Sequence, residues 1–147
     1  KQGYRGVLRG IGKDSIVLDW GSGKKETVRT YGENLRRFVT EARKKGVTPI
    51  LLSMIPRNQW DDKGKVKRAD KDFGLWARQI AEEEGVAFLD LNGITADKYD
   101  RLGPEAVKSG FFPGDHTHTN KDGARENALS VVEGFRRIKS QLVQYIK

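Results

Sequence analysis

The chain has only two histidines, and both fall in one short polar stretch, Gly114-Asp115-His116-Thr117-His118-Thr119-Asn120. Asp115 and His118 are three residues apart, so one helical turn places their side chains together. A carboxylate that accepts from one imidazole nitrogen leaves the other nitrogen free as a general base. The same residues admit a second chemistry. His116 and His118 form an H-x-H pair to which Asp115 adds a carboxylate, a donor set suited to zinc or iron. With no third histidine, the further ligands of such a metal would have to be carboxylates. A third reading is structural: Thr119-x-x-Asp122 caps a following helix, and the histidines are polar loop residues.

The elements around this stretch must position it. Residues 1–12 carry Gly3, Gly6, Gly10 and Gly12 with few apolar anchors and read as a loop. Ser15 to Trp20 and Glu26 to Arg29 flank Gly21-Ser22-Gly23, a hairpin pattern. Thr30-x-x-Glu33 is a capping box. It opens a helix with Leu35, Phe38, Val39 and Ala42 on one face, ending at Gly46. Val47 to Ile55 is a nearly continuous apolar run that reads as a strand buried on both faces, closed by Pro56-Arg57-Asn58. Residues 59–68 are polar and read as a loop. Phe73, Trp76, Ala77, Ile80 and Ala81 recur at helical spacing up to Gly85, and Val86 to Leu91 is a second short strand. Ile94 to Leu102 reads as a helix interrupted by Gly103-Pro104, and residues 111–114 as a loop. A last helix is expected from about Asn120 to Ile146, burying Ala124, Ala128, Val131, Phe135, Ile138 and Leu142.

Strands alternating with helices predict an α/β fold with a parallel sheet. Ligand sites of such sheets gather near the carboxyl ends of the strands. Only two strands have fully buried character, and a two-stranded parallel sheet cannot cover its own faces and edges. The pattern therefore matches the C-terminal part of a larger doubly wound sheet.

Composition narrows the function classes. The chain has no cysteine, which excludes disulfide scaffolds, cysteine nucleophiles and zinc–thiolate sites. No apolar run approaches the roughly 20 residues that span a bilayer. The net charge is +8, concentrated in residues 1–71, which hold 18 basic and 8 acidic side chains. That imbalance suits a polyanion partner or a plainly solvated surface. Acidic residues interrupt the basic ones and no run of five like charges occurs, so no nucleic-acid motif is evident.

The string Phe112-Pro113-Gly114-Asp115-His116-Thr117-His118-Thr119-Asn120, followed by Gly123-Ala124, resembles the closing motif of the rhamnogalacturonan acetylesterases, members of the SGNH (GDSL-type) hydrolase superfamily. Thr30-Tyr31-Gly32, Leu35-Arg36-Arg37-Phe38, Gly46-Val47-Thr48-Pro49-Ile50 and Ile55-Pro56-Arg57-Asn58-x-Trp60 resemble that family's middle segment. So do Gly85 to Asn92 and Leu102-Gly103-Pro104-Glu105. The resemblance covers nearly the whole chain. It implies a three-layer α/β/α fold of flavodoxin-like type with a parallel sheet. It also implies removal of acetyl groups from a pectic polysaccharide by a Ser-His-Asp triad that needs no cofactor. The family's Asp-x-x-His motif falls on Asp115 and His118. His118 would move the proton and Asp115 would hold the imidazole. Arg57 and Asn58 fall on the loop where substrate contacts are expected, His116 matches a family position that gives either a substrate hydrogen bond or structural support, and Trp60 either stacks on a sugar ring or is a half-buried loop aromatic.

The family's nucleophile lies in a Gly-Asp-Ser motif on its first strand, and its oxyanion-hole groups follow the second and third strands. No such motif occurs here. Asp14-Ser15 follows Lys13 within the hairpin, and Ser22, Ser53, Ser109, Ser130 and Ser140 lack the context. Residues 1–147 are therefore expected to be the C-terminal portion of one hydrolase domain, inactive alone. The N-terminal strands would come from another segment or a companion chain. The expected partner is an acetylated acidic polysaccharide or oligosaccharide, with no nucleic acid and no membrane, and the resemblance implies a secreted or periplasmic protein. The alternatives are a metal-dependent hydrolase using Asp115, His116 and His118, or a non-catalytic polyanion-binding module.

Overall fold

The computed structural model describes residues 6–19, 21 and 23–146; residues 1–5, Trp20, Ser22 and Lys147 lie outside the described residues. The hairpin forms as the alternation predicts. β1 (Ser15–Asp19) pairs antiparallel with β2 (Lys25–Arg29), Ser15 opposite Arg29. Thr30 then caps α1 (Tyr31–Lys44): its hydroxyl accepts the Glu33 N–H at 3.0 Å and donates to the Gly12 carbonyl. On α1 Val39 is buried and Leu35 and Ala42 are half-buried, while Phe38 is 69% exposed, against expectation. At 100° per residue Phe38 falls outside a stripe centred on Val39.

The central sheet pairs β3 (Ile50–Leu52) with β4 (Ala87–Leu89) in parallel, Leu51 beside Phe88 and Leu52 beside Leu89. Strand alternation divides their side chains between two layers. Leu51 and Phe88 pack with Val39 of α1 and with Ile80 and Ala81 of α2 (Phe73–Glu83). Ile50, Leu52 and Leu89 pack on the other face with Val131 and Phe135 of α5 (Lys121–Arg137). The result is the expected α/β/α layering. Both strands are shorter than the apolar runs that contain them, and Val47 and Met54 are exposed. The physical reason is that β4 ends at Asp90, whose carboxylate caps the next helix. Past Leu52, β3 keeps only the bond from the Ser53 N–H to the Leu89 carbonyl.

That cap starts α3 (Leu91–Leu102) three residues earlier than expected, the Asp90 side chain accepting the Gly93 N–H at 3.1 Å. Gly103, at φ 84°, ends α3, and Pro104, expected only to interrupt a helix, is the first residue of a separate one, α4 (Pro104–Phe111), which takes in Phe111 of the expected loop. Proline suits the first turn because its missing N–H has no helical partner there. α5 stops at Arg137 and gives way, past Lys139 at φ 51°, to a 3₁₀ turn at Gln141–Tyr145. Val131, Phe135 and Ile138 pack on the core as expected and Gly123, Ser130 and Gly134 are buried beside them, while Ala124, Ala128 and Leu142 are exposed. The face is shifted from the expected one only in part, because close approach to the sheet selects small residues as well as apolar ones. Among the described residues, no helix is long and apolar enough to cross a membrane.

Candidate active site

The histidine-bearing loop between α4 and α5 is pinned at both ends. Phe112 is buried in a cluster with Val66, Tyr99 and Val107. At the far end Asn120, rather than Thr119, caps α5. Its side-chain oxygen accepts the Gly123 N–H at 2.9 Å, its amide donates to the Gly110 carbonyl at 2.8 Å, and its own N–H reaches the Phe111 carbonyl at 2.9 Å. The backbone is thus closed on itself before any catalytic side chain is placed.

Within this loop Asp115 and His118 meet, though through a bend and not a helical turn. One carboxylate oxygen accepts the backbone N–H groups of Thr117, at 2.6 Å, and His118, at 2.7 Å. The other lies 2.7 Å from Nδ1 of His118. The bond from His118, helped by the two backbone N–H groups, holds the Asp115 carboxyl well below the usual carboxylate range. An ionised carboxylate only accepts, so Nδ1 carries the hydrogen and Nε2 of the neutral ring keeps its lone pair. No hydrogen bond among the described residues engages Nε2, and the side chain is 84% exposed. None of the described serines hydrogen-bonds to His118: Ser53 is held by Asp90 and Asn92, Ser109 by Glu105 and Ser130 by Glu126.

The remaining candidates divide between two clefts. Arg57 lines a cleft of about 660 Å³ that reaches Thr117, with Gln59, Lys67 and Phe73. Asn58 and His116 line a second cleft of about 430 Å³, with Trp60 and Asp115. The Asn58 N–H donates to the His116 carbonyl at 2.9 Å, tying the 57–60 segment to the histidine loop. The Asn58 side chain is itself taken by the Trp60 indole N–H, 2.6 Å away. Among the described residues, no group of three or more histidine or carboxylate side chains is placed to hold a metal ion.

Residues 59–68 are less free than their polarity suggested. Val66 is buried, its N–H donates to Asp100 at 2.8 Å, and Arg68 binds both Asp97 and Asp100. Asn92, also buried, holds the Met54 carbonyl and the Ala69 N–H at the floor of the first cleft. Sequence reasoning gave neither Asn92 nor Lys67 a role. The available signal for the loop was Asp97 and Asp100, two acids one helical turn apart, waiting for a cation.

The chain is similar to rhamnogalacturonan acetylesterases. One from Emericella nidulans is 32% identical over 103 residues, covering 70% of this chain and 41% of the fungal protein. In Bacillus subtilis the probable rhamnogalacturonan acetylesterase YesY is 29% identical over 125 residues, covering 82% of this chain and 57% of its own length. The rhamnogalacturonan acetylesterase RhgT of the same organism is 27% identical over 130 residues, covering 80% and 56%. The chain therefore spans about half the length of these curated relatives. In fold it matches the crystal structure of the Bacillus subtilis protein YxiM with a TM-score of 0.68 at 24% identity, over 74% of this chain and 31% of that one. No protein-family model matches the chain.

Proposed function

We propose that this chain carries the acid–base half of a carbohydrate acetylesterase of the SGNH type, with the nucleophilic serine and the oxyanion hole supplied by polypeptide outside residues 1–147. The observation that carries this reading is the Asp115–His118 pair, which leaves Nε2 unengaged and open to solvent. Nε2 takes the proton as a serine hydroxyl attacks the acetyl carbonyl. The imidazolium returns that proton to the sugar oxygen as the ester bond breaks, and the same nitrogen then activates water to release acetate. Asp115 fixes the ring tautomer and stabilises the imidazolium; it accepts throughout and never donates. The similarity to rhamnogalacturonan acetylesterases supports an acetylated pectic polysaccharide as substrate, met outside the cell or in the periplasm. Arg57, Asn58 and His116 flank the pair as substrate contacts.

A fluorophosphonate ester, which phosphonylates a base-activated serine with loss of fluoride, tests this in the complete enzyme. Labelling of one serine outside the chain is expected, slowed at least about 100-fold by His118→Ala. Equal labelling of the two proteins would overturn the reading.

A further inference from the structure

Asp115 and His118 stand exposed on the loop of residues 113–119, and among the described residues a single hydrogen bond reaches that loop from elsewhere. The Asn58 N–H donates to the His116 carbonyl at 2.9 Å. The same peptide group carries the Thr117 N–H, which donates to Asp115 at 2.6 Å. A trans peptide is planar, and its carbonyl and N–H point opposite ways. The two bonds therefore hold one rigid plate from both sides, Asn58 on one and the Asp115 carboxylate on the other. The second oxygen of that carboxylate lies 2.7 Å from Nδ1 of His118.

Asn58 is held in turn by Trp60. Residues 57–60 turn tightly, the Gln59 N–H donating to the Arg57 carbonyl at 2.8 Å. Across this turn the indole N–H of Trp60 donates to the Asn58 side-chain oxygen at 2.6 Å. The indole packs against the buried cluster of Val66, Tyr99, Val107 and Phe112. The histidine loop begins at Phe112, so one aromatic ring braces the start of the loop directly and its middle through Asn58. The chain then folds back on itself, Trp60 opposite Val66. Asp100 anchors the return limb at Val66 and Arg68, apart from the Asn58 link.

Resting on the acetylesterase reading, we propose that Trp60 and Asn58 are positioning residues for His118. A run of hydrogen bonds leads from the indole through Asn58, the His116–Thr117 peptide group and Asp115 to the imidazole. Without it the carboxylate keeps its bond to the ring, but the pair drifts as a unit relative to the serine. A catalytic group must be held within about 0.5 Å of its productive place. A misplacement of about 1 Å costs up to about 100-fold. The Asn58 oxygen serves this purpose and leaves the amide nitrogen for substrate.

Steady-state hydrolysis of p-nitrophenyl acetate by the complete enzyme tests this, with rates expressed per serine that a fluorophosphonate labels at completion. Trp60→Phe keeps an apolar ring and loses the N–H, and Asn58→Ala loses the acceptor. Each should lower kcat about tenfold with KM nearly kept. The double variant should fall no further than either single one, because both cut the same link. Hydrogen exchange at the Thr117 amide should quicken in both, while the Gly123 amide in the α5 cap is unaffected. Trp60→Phe should lose as much kcat on an acetylated oligosaccharide, since the base serves both esters. An unmoved kcat, unchanged Thr117 exchange, losses that multiply in the double variant, or a Trp60→Phe defect confined to KM for the oligosaccharide would overturn the proposal. If the fluorophosphonate labels no serine of the unaltered enzyme, the acetylesterase reading fails first and this one with it.

Discussion

Gly134 of α5 lies directly against Leu89 of β4: a Cβ at position 134 would stand 2.5 Å from the Leu89 Cγ. Leu89 is fully buried, so its side chain has no room to give way. This contact sets the distance between the sheet and the helix that follows the histidine loop. Gly134→Ala should destabilise the protein by about 1–3 kcal/mol through overpacking. Leu89→Ala made in the same background should cost less than it does alone. Denaturant unfolding of the four proteins measures the coupling, and strictly additive losses would contradict the contact.

This contact also shows where sequence reasoning stops. Element order as far as α3, the Thr30 cap, the parallel strand pair and the Asp115–His118 pairing follow from local spacing and local chemistry. The buried face of α5 follows only at Val131, Phe135 and Ile138; Gly123, Ser130 and Gly134 face inward for their size and carry no hydropathy pattern. Strand length escaped for a related reason. Val47 and Met54 are as apolar as their neighbours, but pairing ends where β4 turns into α3 at Asp90. The clefts depend on contacts far apart in sequence, such as Asp100 with Val66 and Asn92 with Met54.

Asp100 holds the cleft-bearing loop to α3 by accepting the Val66 N–H and pairing with Arg68. Asp100→Ala should loosen residues 59–68 while leaving the Asp115–His118 pair intact. The expected outcome is faster hydrogen exchange at the Val66 amide and a raised KM with kcat nearly kept. Unchanged exchange at Val66 would contradict it.

The Asp115 carboxyl titrates below a free aspartate because the His118 ring and two backbone N–H groups favour its ionised form. Its bonds are therefore fully present above the free-aspartate range, about pH 3.9, and are lost as the pH falls through the lower folded value. Across roughly pH 5 to 8 the carboxylate stays charged, so an acid limb of activity there does not belong to Asp115. Carbon-13 NMR titration of its carboxyl should show no shift as large as a carboxyl protonation above about pH 4. A full carboxyl-protonation shift with its midpoint in that upper range would contradict the bonding described.

Among the described residues, β3 pairs only with β4. The Ser53 N–H points at β4, so alternation turns the Leu52 N–H to the opposite edge. We expect a further parallel strand of the complete enzyme along that edge. The Leu52 amide should exchange freely in the isolated chain and be protected in the complete protein. A monomeric 147-residue chain that unfolds cooperatively and protects Leu52 would contradict this.

The account rests on His118 as the proton carrier, and paired alanine variants of the complete enzyme test it most directly. With an acetylated pectic oligosaccharide, His118→Ala should lower kcat by at least about 10³-fold with little change in KM. Asp115→Asn should cost about 10²- to 10⁴-fold, and His116→Ala clearly less than His118→Ala. Addition of EDTA should change none of these rates. Equal losses in His116→Ala and His118→Ala, together with inhibition by EDTA, would contradict the serine-esterase account and favour a metal bound by the two histidines.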